Sequence, residues 1–287
     1  MSNSIPASAR QRSGTSESRA ALRTLPLLGM PSLAELEEDP KFVTALGRGF
    51  ELLRAFQFRV GPLSNKELSE VTGIPKPTVS RLTHTLRRMG LLRQRPQDGR
   101  YELSLAVLSL GYPLLSGSRI RHVAHDFMTQ LAASHDCTVM LAARDGLAMV
   151  VIDERCGPSN TTMRVDVGAR IEIPRSAIGR AYLCGISVDE RRSLMKEFAR
   201  LYGSEWKQIE PRVLAGLEDL TANGFCLVEG EWQRDTRSVA TPVVQSGSVM
   251  VLGCGAPTFA VPREVFVQTI GPHLVHVANS LRKFVDD

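Results

Sequence analysis

The segment from Lys76 to Arg88 brings apolar residues back at Val79, Leu82 and Leu86, and Met89 continues the series in steps of 3, 4 and 3. That spacing gives a helix one apolar stripe. At about 100° per residue, the opposite side carries Pro77, Ser80, Arg81, His84 and Arg88, with Arg87 at its margin. Guanidinium, imidazole and hydroxyl groups bond to guanine and phosphate acceptors in a major groove. Lys76 and Thr78 stand at the helix start, where unpaired backbone N–H groups and the helix dipole favour a phosphate. Arg93, Arg95 and Arg100 follow and extend the cationic surface toward a sugar-phosphate backbone or minor groove. The chemistry of this set is recognition of double-stranded DNA.

The charge distribution points the same way. The 287-residue chain has a formal net charge of +5, but residues 41–103 hold twelve Lys or Arg against five acids. Residues 1–40 and 104–287 each carry a small net negative charge. A local excess over about sixty residues is the electrostatic footprint of a nucleic-acid-binding module. With 43% hydrophobic and 23% charged residues, the chain as a whole is globular rather than disordered or fibrous. It contains no apolar run of membrane-spanning length and no secretory signal pattern, so a cytoplasmic location is expected.

Catalytic and metal chemistry find little support. Cys137, Cys156, Cys184, Cys226 and Cys254 are scattered and odd in number, which argues against a disulfide framework or zinc ribbon. His122, His125 and His135 do not form a recognisable ligand set. Nucleophile-elbow, zincin, phosphate-loop and dinucleotide motifs are missing, and Gly253-Cys-Gly255 lacks a third glycine and a following helix. No cofactor and no metal are expected.

The elements that would position the basic face are legible around it. Residues 1–38 read as a disordered arm, with Ser32-Leu-Ala-Glu35 able to cap one short helix before Pro40. Phe42, Leu46, Phe50, Leu53 and Phe56 predict a first helix buried along that stripe. Ser64-Asn-Lys-Glu67 is a capping box for a second helix, which Gly73 ends. The basic helix is third, and Gly90 stops it. Residues 91–94 and 100–103 then flank an Asp-Gly turn and predict a hairpin. Three helices and a hairpin over 40–103 make a winged helix-turn-helix.

Residues 104–118 predict a linker helix. A further helix from Arg119 to Ser134 places Ile120, Val123, Phe127 and Leu131 on one face. Beyond it, strand-like runs at 138–143, 148–154, 161–165 and 169–173 precede helices at 177–185, 189–202 and 212–223. Strands return at 225–229, 237–244 and 249–255 before a last helix over 263–285. This order predicts an α+β domain over 119–287 with helices beside an antiparallel sheet.

Two sets of motifs resemble the IclR-type transcriptional regulators. In the head they are Phe42-Val-x-Ala-Leu-x-Arg48-Gly49-Phe-x-Leu-Leu, Leu68-x-x-x-Thr72-Gly73-Ile-Pro75-Lys-Pro77-Thr78-Val-Ser80-Arg81-Leu and Gly99-Arg-Tyr101-x-Leu. In the C-terminal half they are Val167-Gly168, Ile173-Pro174, Ser176-Ala177-x-Gly179-Arg180-Ala181, Asn223-Gly224-Phe225 and Ser238-Val239-Ala240-x-Pro242-Val243. The resemblance spans roughly residues 42–285. It implies a winged helix-turn-helix head joined by a helical linker to a GAF-like α/β effector domain. It also implies homodimers or homotetramers on palindromic operators.

The resemblance further implies that a small organic acid sits on the concave face of the sheet. The matching positions are Ser176, Ala177 and Ile178, the strand from Cys226 to Glu229, Ser238, Ala240, Gly253 and Gly255. Glycine at 253 and 255, where members that bind small polar acids often carry hydroxyl residues, suggests a roomier pocket for an aromatic acid. Arg164 or Arg175 is expected to pair with its carboxylate. Whether Glu229 or Glu231 faces the ligand stays open. Two other readings also stay open: an enzyme or metabolite-binding module whose basic head serves only oligomerisation, and a DNA binder without an effector.

Overall fold

The computed structural model describes residues 32–58, 61–159, 163, 165–245 and 247–285. Residues 1–31 of the expected arm, Arg164 and most of the expected strand at 161–165 lie outside the described residues. Met163 and Val165, which are described, are not in a strand.

The head begins with α1 (Leu33–Glu37), capped by Ser32 and Glu35 in a complete capping box. This short helix belongs to the head rather than to the arm, because Leu33 packs on the head core and Glu37 meets Arg48 at 3.0 Å. Then come α2 (Thr44–Phe58), α3 (Asn65–Thr72), α4 (Lys76–Arg88) and a hairpin of β1 (Leu92–Gln94) and β2 (Tyr101–Leu103). Ser64 and Glu67 cap α3 reciprocally, and Gly73 ends it at φ +70, a left-handed turn that glycine adopts without steric cost. Leu52, Ala55, Leu63, Leu68, Ile74, Val79, Leu86, Leu92 and Tyr101 form the head core.

Two predicted stripes are rotated. On α4 the buried line is Val79, Thr83 and Leu86, while Met89 is 64% exposed. Thr83 tolerates burial because its hydroxyl donates to the Val79 carbonyl at 2.9 Å. On α2 the core takes Leu52 and Ala55, and leaves Leu46 60% and Phe50 53% exposed. That helix is apolar on two sides, and so small a head buries only one of them.

The linker is α5 (Leu105–Ser116), capped by Ser104, and most of its leucines are exposed. Next is α6 (Arg119–His135), which buries Ile120, Ala124, Met128 and Leu131, whereas Val123, of the same predicted face, is exposed. The C-terminal sheet contains β3 (Thr138–Asp145), β4 (Ala148–Cys156), β5 (Arg170–Glu172), β6 (Cys226–Glu229), β7 (Thr236–Gln245) and β8 (Ser248–Pro257). Its order is β5-β4-β3-β8-β7-β6, and every neighbouring pair is antiparallel. One face packs on α7 (Ala177–Gly185), α8 (Val188–Tyr202) and α9 (Trp206–Asn223). The other packs on α6 and a C-terminal helix made of α10 (Arg263–Val265), one π turn (Phe266–Ile270) and α11 (Gly271–Val285). This is the expected α+β architecture.

Candidate DNA-binding face and effector site

On α4, Lys76, Pro77, Ser80, Arg81, His84, Arg87 and Arg88 are all exposed, and Thr78 is half-buried at the first turn. Pro77 sits in that first turn, where its missing N–H is not needed. Among the described residues, the side chains of Lys76, Arg81, His84 and Arg88 meet no acid. Arg87 instead donates to Gln94 Oε1 at 2.7 Å, and Gln94 Nε2 donates to the Gly99 carbonyl at 2.9 Å, which braces the hairpin against α4. Between them lies an open notch of about 630 Å³ bordered by Arg87, Arg93 and Arg95.

The hairpin cations differ from those of the helix. Arg93 meets Glu102 at 2.6 Å and Arg95 meets Asp98 at 3.8 Å. Arg100 lies 3.3 Å from Glu67 and donates to the Pro62 carbonyl at 3.2 Å. It thus holds the start of α3 to the hairpin. Beside the basic face, α2, α4 and α5 border an apolar groove of about 1150 Å³, lined by Leu46, Phe50, Leu53, Leu82, Met89 and Leu110 among others, and also by Thr78 and Arg81 of the basic face itself.

In the C-terminal domain the strand registers bring most of the expected effector residues onto one sheet face, the one toward α7. One row across the sheet is Cys226, Ala240, Gly253, Met140 and Glu154; the next is Val228, Ser238, Gly255, Thr138 and Cys156. Ser176 caps α7 by accepting from Gly179 N at 3.1 Å and donates to the Glu172 carbonyl at 2.5 Å. Ala177 and Ile178 are buried against this face. Cys226 is buried and donates toward the Ala177 carbonyl at 3.5 Å. Burial pushes its thiol up to about 12, so no nucleophilic thiolate forms there at neutral pH.

Three expectations need correction. Glu229 pairs with Arg237 across β6 and β7 and lies on the opposite sheet face, because side chains alternate along a strand. The two Arg237 contacts, at 2.6 and 3.1 Å, hold its carboxyl below the usual range. Glu231, in the following turn, instead takes the guanidinium of the buried Arg180 at 2.6 Å. Arg175 is occupied: it meets Glu205 at 2.6 Å and Glu172 at 3.5 Å and stacks on Tyr202. Finally, Gly253 and Gly255 do not open a larger space. A Cβ on Gly253 would lie 2.5 Å from Ile178 Cγ2, and one on Gly255 2.6 Å from Met163 Cε. The volume that the glycines release is filled by these two side chains.

Several residues of the site escaped the sequence reading. Arg180 lies within the 176–181 motif, and Thr138, Met140, Glu154 and Met163 carry no local pattern that marks them as neighbours of one another. Burial holds the Glu154 carboxyl above its ordinary range. Its neighbour Asp153 points to the other face, where it is only 1% exposed and meets Arg121 of α6 at 3.1 Å and Arg155 at 2.8 Å. A register shift beside Leu141 and Ala142 accompanies this change of face.

Comparison with known proteins gives the same division. Residues 45–96 match the IclR helix-turn-helix domain, and residues 113–268 match the bacterial transcriptional regulator IclR C-terminal domain. The chain is 27% identical over 251 residues to the HTH-type transcriptional regulator TsaQ1/TsaQ2 of Comamonas testosteroni, covering 86% of this chain and 90% of that one. It is similar to the crystal structure of an IclR family transcriptional regulator from Brucella abortus, with 42% identity, a TM-score of 0.74 and coverage of 87% and 95%. A crystal structure of an IclR homolog from Microbacterium hydrocarbonoxydans, complexed with 4-hydroxybenzoate, shares the fold at 17% identity and a TM-score of 0.70, with coverage of 84% and 99%. With a DNA-binding head, an effector domain and both family halves matched along its length, the chain belongs to the IclR family of ligand-responsive transcriptional regulators and is a regulator rather than an enzyme.

Proposed function

We propose that this chain controls a catabolic operon from a palindromic operator and answers to a small organic acid with an aromatic group. The observation that carries the DNA half is the set of exposed cations on α4 with no acid against them among the described residues. Laid in a major groove, α4 presents Ser80, Arg81, His84 and Arg88 to base edges and phosphates, while Lys76, Pro77 and Thr78 meet backbone at its start. Arg87 and Arg93 flank the notch beside the hairpin, and Arg95 and Arg100 reach the DNA only by leaving their acidic partners.

The protein acts as a homodimer, or a dimer of such dimers, in the cytoplasm. The exposed leucines of α5, with Leu46, Phe50 and Met89 of the groove they border, supply the seam between copies. Among the described residues no helix is long and apolar enough to cross a membrane.

The effector sits against the sheet face that carries Cys226, Ser238, Ala240, Gly253 and Gly255, under Ser176, Ala177 and Ile178 of α7. The lining is mostly aliphatic and thioether, which suits a ring better than a polyhydroxylated chain. The complex of the Microbacterium homolog with 4-hydroxybenzoate is a property of that protein; for this chain the reading rests on its own lining. Occupancy shifts the placement of the two heads and so their fit to two half-sites. A titration of duplex DNA from the region upstream of the gene and its neighbours tests the proposal. Affinity that falls steeply with salt is expected. Salt-independent binding, or binding unchanged by Arg81→Ala, would contradict it.

A further inference from the structure

We propose that Gln94 is a positioning residue for DNA binding: its neutral amide holds Arg87 at the notch beside the hairpin, where the guanidinium takes a phosphate of the operator backbone. This rests on the DNA-binding reading above and deepens it. Arg87 stands in the last turn of α4, and Gln94 ends β1. Arg87 Nη1 donates to Gln94 Oε1 at 2.7 Å, and Gln94 Nε2 donates to the Gly99 carbonyl at 2.9 Å. A guanidinium only donates and a carbonyl only accepts, so one orientation of the amide satisfies both partners and the reversed one satisfies neither. Gly99, in the hairpin turn, thereby fixes which end of Gln94 meets Arg87.

The partner is neutral, and that sets Arg87 apart. The other cations at the notch, Arg93 and Arg95, meet Glu102 and Asp98 at 2.6 and 3.8 Å. Among the described residues Arg87 has an amide for its partner and no acid. A glutamate would fill nearly the same volume as Gln94 and bind Arg87 more strongly. It would also cancel the charge, and a carboxylate has no proton to donate to Gly99. Glutamine restrains the long side chain without neutralising it. A restrained guanidinium loses less entropy on meeting a phosphate, and its remaining N–H groups stay free to donate. The notch, of about 630 Å³, is open to solvent, so a backbone strand enters it while α4 lies in the major groove. The hairpin itself does not need the Gln94 side chain. Its strands pair through backbone, Leu63 and Tyr101 exchange two backbone bonds of 2.8 Å, and Leu92 and Tyr101 are buried in the head core.

The test uses the full-length protein and a duplex that the wild type enriches from a random-sequence pool, with affinity read by gel shift across a salt series. Arg87→Ala is expected to lower affinity and to make the slope of log K against log salt shallower by about 1, the value for one lost phosphate contact. Gln94→Glu is expected to flatten the slope by a similar amount while its Tm stays level or rises. Gln94→Met, neutral and of similar shape, is expected to lower affinity by about three- to tenfold with the slope kept, the entropy of one freed side chain. With Arg87 already alanine, Gln94→Met is expected to change nothing further. An equal loss in that background overturns the role through Arg87. Wild-type affinity in Gln94→Met, with or without a lower Tm, overturns the positioning role. Gln94→Glu with wild-type affinity and slope overturns the need for a neutral partner, and Arg87→Ala with an unchanged slope overturns the phosphate contact. Each of those results leaves the DNA-binding reading standing if Arg81→Ala still weakens binding. Failure to enrich any duplex overturns that reading and this proposal together.

Discussion

On α4, Lys76, Arg81, His84 and Arg88 extend with no acid against them among the described residues, whereas in the C-terminal domain Arg121, Arg155, Arg170, Arg175, Arg180 and Arg237 each meet a carboxylate. Arg81 and Arg88 carry the same guanidinium chemistry as the C-terminal arginines and take the opposite assignment. A charge held beside an internal acid fixes the fold and has little left for a ligand. A charge kept solvated costs the fold nothing and remains available to an outside anion. The hairpin arginines stand between these extremes, exposed yet paired.

The contrast breaks if a paired cation proves dispensable. Asp153→Ala leaves Arg121 and Arg155 facing each other without their acid. Because Asp153 is buried, a loss of about 3 kcal/mol in unfolding free energy is expected, read by urea denaturation. An unchanged midpoint would mean that this cluster is ornamental. Arg81→Ala is the converse case. It should cost about 1–3 kcal/mol in operator binding while stability stays within about 0.5 kcal/mol, read by gel shift and by melting of the same sample. A fall in Tm with intact DNA affinity would move Arg81 into the structural group.

Arg93→Ala sharpens the intermediate class. An exposed pair such as Arg93 with Glu102 contributes about 0–1 kcal/mol to folding, so the variant should melt almost normally. Its operator affinity should fall by less than that of Arg81→Ala, with a shallower salt dependence if Arg93 leaves Glu102 for a phosphate. The smallest expected effect concerns Glu154. Its folded carboxyl titrates above the ordinary value because burial penalises the charged form. The folded state therefore binds more protons than the unfolded state between those two values, and stability falls as pH rises through that window. Glu154→Gln should melt slightly higher than the wild type at neutral pH and no differently at about pH 4. A higher melt at both would point to repacking rather than to charge.

The head was legible because its signals are local. The Ser64 and Glu67 capping box, the Gly73 and Gly99 turns and the run of cations each act within a few residues of themselves. The helix expected over 177–185 likewise begins where the sequence placed it, directly after Ser176. Where the sequence misled, the deciding contact came from far along the chain. Phe50 and Met89 read as core because periodicity counts apolar residues without knowing which side of a helix meets a neighbour. Glu229 and Arg175 read as ligand groups because their partners, Arg237 and Glu205, become neighbours only when the sheet and helices assemble.

What the sequence by itself determined is therefore the set of elements, the type of head and the side of α4 that faces outward, since hydrogen bonding, capping and helical period are properties of short segments. Only the tertiary structure decided which charges are spent on one another, which of Glu229 and Glu231 faces α7, and that Ile178 and Met163 fill the space above Gly253 and Gly255. Those outcomes depend on strand register and on packing between residues as distant as Met163 and Gly255, and close packing forces a choice that no local pattern encodes.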